Sequence, residues 1–219
     1  MTNKQYKTKH LSASKLKESI IKAHNIVKEK FHTDSNKRFH SLEHTLRVVN
    51  TCIFLAKELD AYMDIVTLAA MFHDIGRPEE SLTGRCHAEI GSEEAAHFLK
   101  QEGLNALIAD VCKAIETHRF SKGIEPVTLE AKILQDADAL DALGAMGLYR
   151  TLGFSFENER DLDEAVMHFH EKLFKLSARM HFPITKKLAM EREKILWDFV
   201  DGIDSEKKKT DFNLVLHDL

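Results

Sequence analysis

Apolar residues recur at spacings of three and four along most of the chain, the period of one buried helix face. This pattern argues for an all-helical protein and against strands joined by tight turns. It predicts helices over residues 14–31, 40–59, 62–74, 87–101, 104–118, 129–150, 162–178 and 185–202, with Ser12, Asp161 and Thr185 where starting caps belong. One segment departs from the amphipathic pattern: residues 62–72 are apolar almost all round, which marks a helix covered on every side. Gly76 and Pro78 supply its stop signal, which places His73 and Asp74 on the last turn.

Composition fits that picture. A chain of 219 residues can bury a large core within one folding unit, and only 9 Gly and 3 Pro interrupt it. No internal repeat or low-complexity tract is visible. The polar start over residues 1–10 and the charged run around residues 205–211 read as solvated ends.

The chemistry begins at His73-Asp74. Successive side chains on a helix diverge by about 100°, so neighbours in mid-helix cannot easily grip one ion, whereas at a helix end both can turn to one point. Upstream, His40 and His44 are four residues apart and share a face. Downstream, Asp136, Asp138 and Asp141 lie inside an apolar helix, where an ionised carboxylate costs several kcal/mol unless it is paired or metal-bound. Chemistry alone leaves all three aspartates open.

In chain order, His44, His73-Asp74 and Asp138 resemble the H…HD…D signature of the HD-domain metal-dependent phosphohydrolase superfamily. The segment Cys86-His87-Ala88-Glu89-Ile90-Gly91-Ser92, the element Thr117-His118-Arg119-Phe120 and residues 135–145 are similar to a bacterial subgroup of uncharacterised HD hydrolases. The resemblance covers about residues 20–200. It implies a single-domain, all-α HD bundle over residues 1–219, with a metal site in its interior. Residues 20–150 would form the metal-binding core, and residues 151–203 the C-terminal helices completing the pocket. Residues 152–163 would be a loop near that pocket.

The resemblance also assigns roles. His44, His73, Asp74 and Asp138 would hold a divalent ion. In two-metal relatives, histidines between the HD pair and the last aspartate hold a second ion, with the HD aspartate bridging; in single-metal relatives the histidine at position 87 acts on phosphate or as an acid. Asp74, His87 and His118 are therefore the candidate catalytic residues, and one or two ions remain open. Glu79 and Glu80 stand where acidic residues orient the nucleophilic water in some nucleotide-cleaving relatives. Ala139 stands where relatives often have a basic residue, so the phosphate contact assigned there is absent.

Two imidazoles and two carboxylates make a mixed nitrogen and oxygen site, in which a divalent ion could polarise a phosphoryl oxygen and activate a water to attack phosphorus. Open coordination positions favour manganese first, then iron, cobalt or nickel, over structural zinc; magnesium prefers oxygen ligands. His87 could deliver a proton to the leaving oxygen. Arg119, Lys122, Arg150 and Lys172 are the candidate contacts to phosphate oxygens.

A net charge of −4 gives no general attraction to nucleic acid, so a small phosphorylated substrate, a nucleotide first, is the expected partner. No stretch approaches the roughly 20 apolar residues of a membrane span, and no signal peptide is readable, so a cytoplasmic enzyme is expected. Cys52, Cys86 and Cys112 show no CxxC spacing. His168 and His170, two apart, face away from each other and are not expected to be ligands. No heptad seam specifies an oligomer. Two other functions share this ligand series: a di-iron HD-type oxygenase and a non-catalytic nucleotide or metal sensor.

Overall fold

The computed structural model describes residues 12–32, 42–119 and 123–208, and among them it shows ten α-helices and no strand. The all-α class expected from the apolar period is the class observed. The chain divides into two compact units, Met1–Asp138 and Ala139–Leu219. Among the described residues no helix is long and apolar enough to cross a membrane.

The first unit holds α1 (Ala13–His32), α2 (Leu42–Glu58), α3 (Met63–Phe72), α4 (Arg77–Thr83), α5 (His87–Gln101), α6 (Ile108–Thr117) and most of α7 (Leu129–Asp141). Helices α1, α2, α5 and α6 all pack on α3. This explains the run that is apolar all round: every residue from Asp64 to Phe72 is buried. Each fully buried Leu or Phe there contributes about 1.5–3 kcal/mol, so α3 is the main hydrophobic anchor of the unit. Two side chains tie α7 to the start of α3 and the end of α6. Glu130 accepts the Tyr62 N–H at 3.1 Å, and the Gln135 amide donates to the Thr117 carbonyl at 3.1 Å.

The structure shifts several boundaries. Helix α3 ends at Phe72, so His73 and Asp74 lie just past the last turn, where Ile75 N–H bonds the Phe72 carbonyl and Arg77 N–H the Asp74 carbonyl. Helix α3 does stop before Gly76 and Pro78, but these residues also start α4, in whose first turn proline's missing N–H costs nothing. The 104–118 helix begins as a 3-10 turn, Asn105–Leu107, before α6. His40 lies outside the described residues.

The second unit contains α8 (Gly144–Glu157), α9 (Leu162–Glu171) and α10 (Pro183–Lys208). The helix expected over 129–150 breaks at Ala142–Leu143, because Gly144 takes a left-handed φ of 74°. The segment 152–163, expected as a loop, is helical through Glu157, and only residues 158–161 connect α8 to α9. Gly153 signals a break, yet glycine in a helix costs only about 1 kcal/mol, which packing overrides. Asp161 caps α9 in a reciprocal box with Glu164, at 2.9 and 3.1 Å, and the Ser12 hydroxyl accepts the Lys15 N–H at 3.2 Å. Thr185 is not a cap, since α10 starts at Pro183; its hydroxyl reaches back to Phe182. The helix expected to reach 178 ends at Glu171 and continues as two 3-10 turns. His170 packs edge-on against Phe174 and Trp197, whose rings stack 3.6 Å apart.

Candidate metal centre

Six side chains expected from the sequence converge within the first unit, and most come from helix ends. His44 lies in the first turn of α2, His73 caps the C-terminus of α3, Asp74 follows it, His87 opens α5, and His118 caps the C-terminus of α6. Asp138 projects from the last turn of α7. His44, His73, Asp74, His87 and His118 are all essentially buried. The Asp74 carboxylate faces two ways. Its Oδ2 lies 3.5 Å from His44 Nε2 and 3.8 Å from His73 Nε2, while Oδ1 lies 3.3 Å from His87 Nε2 and 3.8 Å from His118 Nε2. Ligand atoms about 2.1 Å from one cation stand about 3–4 Å apart, so His44, His73 and Asp74, and likewise Asp74, His87 and His118, have the spacing of a metal site. Asp138 Oδ1 lies beside the first group, 3.3 Å from His44 Nε2 and 3.9 Å from His73 Nε2.

Backbone chemistry at the helix ends aims three of the rings. The last carbonyls of a helix lack intrahelical partners. His73 Nδ1 donates to the Ala70 carbonyl at 2.7 Å, and His118 Nδ1 to the Ile115 carbonyl at 2.6 Å. His87 Nδ1 donates instead to Glu80 Oε2 at 2.7 Å. Each of these bonds places the proton on Nδ1 and leaves a lone pair on Nε2, the arrangement a metal requires. The Nε2 atoms of His87 and His118 then face each other at 3.3 Å, two acceptors opposed in a dry interior. A cation resolves that opposition, so the donor set fits a divalent metal.

Protonation states agree. Burial pushes His118 down to about 4 and His87 down to about 3, the Asp74 charge opposing it at both, so the imidazoles are neutral at pH 7. For Asp138, burial raises the carboxyl, but the hydrogen bond from His44 works against it, and the group is held well below the usual carboxylate range.

Glycines permit the close approach of α5. A Cβ on Gly91 would meet the Phe72 carbonyl oxygen at 2.7 Å, and one on Gly76 the His87 carbonyl oxygen at 2.5 Å. Larger residues would push His87 away from Asp74. Around the cluster runs a charged network, of which the sequence pointed to Glu80 and Arg119 but not to Arg77. Arg77 Nε donates to Asp74 Oδ1 at 2.9 Å and Nη1 to Glu80 Oε2 at 3.2 Å; Arg119 Nη1 donates to Glu80 Oε1 at 3.1 Å. The one available signal was Arg77's position three residues after Asp74.

The remaining candidates are placed as follows. Arg119 borders the cluster and also donates to Cys86 Sγ at 3.3 Å. Burial raises the Cys86 thiol, yet Arg119 and the Ala88 and Glu89 N–H groups bring it below its ordinary value. Lys122 lies outside the described residues. Arg150 and Lys172 belong to the second unit: Arg150 donates to Asp141 Oδ2 at 2.7 Å, and Lys172 is exposed at the end of α9. Glu79 pairs with exposed Arg85, and Glu80 is engaged by His87 and two arginines. Of the three aspartates left open by chemistry, Asp138 reaches His44, whereas Asp141 binds Arg150 and Asp136 is fully buried.

Histidines at helix ends, paired around a shared carboxylate inside an all-α frame, form two groups that could hold divalent metal ions. The HD domain model matches residues 41–143. YpgQ of Bacillus subtilis, an uncharacterized protein, is 30% identical over 179 residues, covering 76% of this chain and 87% of that one. Among solved structures, a predicted HD superfamily hydrolase from an uncultured Thermotogales bacterium shares 32% identity at a TM-score of 0.64, covering 84% of this chain and 91% of its own. The crystal structure of YpgQ in complex with ADP superimposes with a TM-score of 0.72 at 23% identity, over 91% of this chain and 99% of that one, which shows the shared fold. Ribonuclease Y of Treponema denticola is 28% identical over 139 residues, 63% of this chain but only 26% of that enzyme. The chain belongs to the HD domain family and is of its metal-dependent hydrolase type.

Proposed function

We propose that this protein is a phosphohydrolase acting on a small phosphorylated substrate, a nucleotide first, with two adjacent divalent-cation positions. The observation that carries this reading is the two-sided Asp74 carboxylate, one oxygen toward His44 and His73 and the other toward His87 and His118. His44, His73, Asp74 and Asp138 would hold the first ion, and Asp74, His87 and His118 the second. Divalent cations so bound lower the pKa of a water and polarise a phosphoryl oxygen. Manganese suits the mixed nitrogen and oxygen set best, with iron, cobalt and nickel next.

The chain's own groups then have defined tasks. Asp74 and Asp138 would supply the negative charge that balances the cations. His87, with Nδ1 on Glu80 and Nε2 toward Asp74, serves as a holder of the second ion rather than as a proton donor. Arg119, partly exposed and paired with Glu80 beside the cluster, would bind a phosphate oxygen. The nucleotide reading is supported by the ADP complex of YpgQ, a relative over most of the chain.

The test is a screen of metals against nucleoside mono-, di- and triphosphates, cyclic nucleotides, sugar phosphates and an RNA oligonucleotide, run beside Asp74→Ala and His44→Ala. Phosphate or pyrophosphate release that needs metal, and disappears with it in both folded variants, is the expected result. Chelator-resistant activity in those variants would refute the site. The paired positions also suit two irons; oxygen uptake without phosphate release would identify an oxygenase, and tight nucleotide binding without turnover a sensor.

A further inference from the structure

Three histidines around Asp74 are anchored through Nδ1, but not alike. His73 and His118 bond main-chain carbonyls of their own helices, so their orientation follows from the fold. His87 bonds a side chain, Glu80, carried on α4, none of whose residues is buried. Glu80 also accepts the His87 backbone N–H at 3.3 Å through Oε1, so both of its oxygens contact the residue that opens α5. The contacts close a ring: Asp74 Oδ1 to Arg77 Nε at 2.9 Å, Arg77 Nη1 to Glu80 Oε2 at 3.2 Å, Glu80 Oε2 to His87 Nδ1 at 2.7 Å, and His87 Nε2 back to Asp74 Oδ1 at 3.3 Å.

We propose that Glu80 is the positioning residue of the second cation position, orienting His87 Nε2 toward Asp74 and, through Arg77, tying that ring to the shared carboxylate. The inference rests on the two-position reading of the site. A carboxylate behind an imidazole fixes the ring's tautomer and strengthens its lone pair, and loss of such a partner typically weakens metal binding about 10- to 100-fold. The first position contains no ring anchored to Glu80 among the bonds described, because His73 is held by Ala70. Glu80 is therefore expected to govern one ion and not the other. This selectivity separates positioning from a general structural role.

The experiment is a titration of the metal-free full chain with Mn2+ alone, following free ion by electron paramagnetic resonance, for wild type, Glu80→Ala and Glu80→Gln. Wild type is expected to bind two ions per chain. Glu80→Ala should keep the first at wild-type affinity and weaken the second at least about tenfold. Glu80→Gln, whose amide oxygen still accepts the Nδ1 proton without a charge, should fall between them and supplies the answer if the alanine variant does not fold. Two ions at wild-type affinity in the variants, or equal weakening of both, would overturn the role of Glu80 while leaving two cation positions standing. A single ion in wild type would overturn the two-position reading and this inference with it.

Discussion

At the scale of single residues, burial and partner choice set the protonation states of His87, His118 and Asp138. His118 and His87 are held near 4 and 3 by burial, against about 6.5 in an unfolded chain, so folding favours their neutral forms. A depressed histidine contributes stability that is present above about pH 6.5 and is lost as the unfolded chain takes up protons below it. The loss continues until the folded groups themselves titrate near 4 and 3. Chelated protein should therefore lose on the order of 3 kcal/mol from His118 alone between about pH 6.5 and 4. Glu80 and Asp138, both held low, add their loss only below about pH 4.5, so urea melts above that value read the histidines. Stability that stays flat from about pH 7.5 to 5 would show that the rings are not neutral and buried. Arg150 is a different case, since its guanidinium is already committed to Asp141 with both side chains mostly buried. Arg150→Ala should cost on the order of 2 kcal/mol in thermal or denaturant unfolding, with Mn2+ affinity unchanged. Unchanged stability together with a raised KM would instead mark it as a substrate contact.

At the scale of elements, helix ends do the positioning, and their spacing is set by glycine. The Gly91 Cα faces the Phe72 carbonyl so closely that an added Cβ would stand 2.7 Å from that oxygen. Gly91→Ala should destabilise by about 1–3 kcal/mol and also weaken Mn2+ binding, because α5 carries His87 away from Asp74. Gly202→Ala on α10, whose added Cβ meets nothing within 4 Å, is the control, expected to be neutral or stabilising by up to about 1 kcal/mol. Equal effects of the two would separate the α3–α5 spacing from metal binding. Such contacts also explain how much was legible in the sequence. The order His44, His73-Asp74, Asp138 is readable because ligand-type residues interrupt apolar helices, and those residues do converge. The helix at 77–83 is not readable, since its Gly, Pro and acidic residues match a loop as well as a first turn. In the sequence Glu79 and Glu80 are equal candidates to orient a water, and only three-dimensional placement separates the one that binds surface Arg85 from the one that bonds His87. The break at Gly144 and the helical course of 152–157 depend on backbone angles and packing that local composition does not encode.

At the scale of the whole molecule, charge poses a problem that bound divalent cations would solve. The chain carries a net charge of −4, and three carboxylates, Asp74, Asp138 and Glu80, stand around the cluster against the guanidiniums of Arg77 and Arg119. Both guanidiniums are already engaged by those carboxylates, so the metal-free site offers a phosphate little uncompensated positive charge. Two divalent cations would reverse the local sign beside the buried histidines, where charge interactions are stronger than in bulk water. Recognition of the phosphate and activation of water would then depend on the same ions, which ties substrate affinity to metal occupancy. Calorimetry with a hydrolysis-resistant nucleotide analogue should show at least about a tenfold weaker affinity in chelator than in Mn2+, and the same weakening in Asp74→Ala without chelator. Affinity that survives metal removal would mean that base or sugar contacts dominate binding, and the charge reversal would then act on turnover alone.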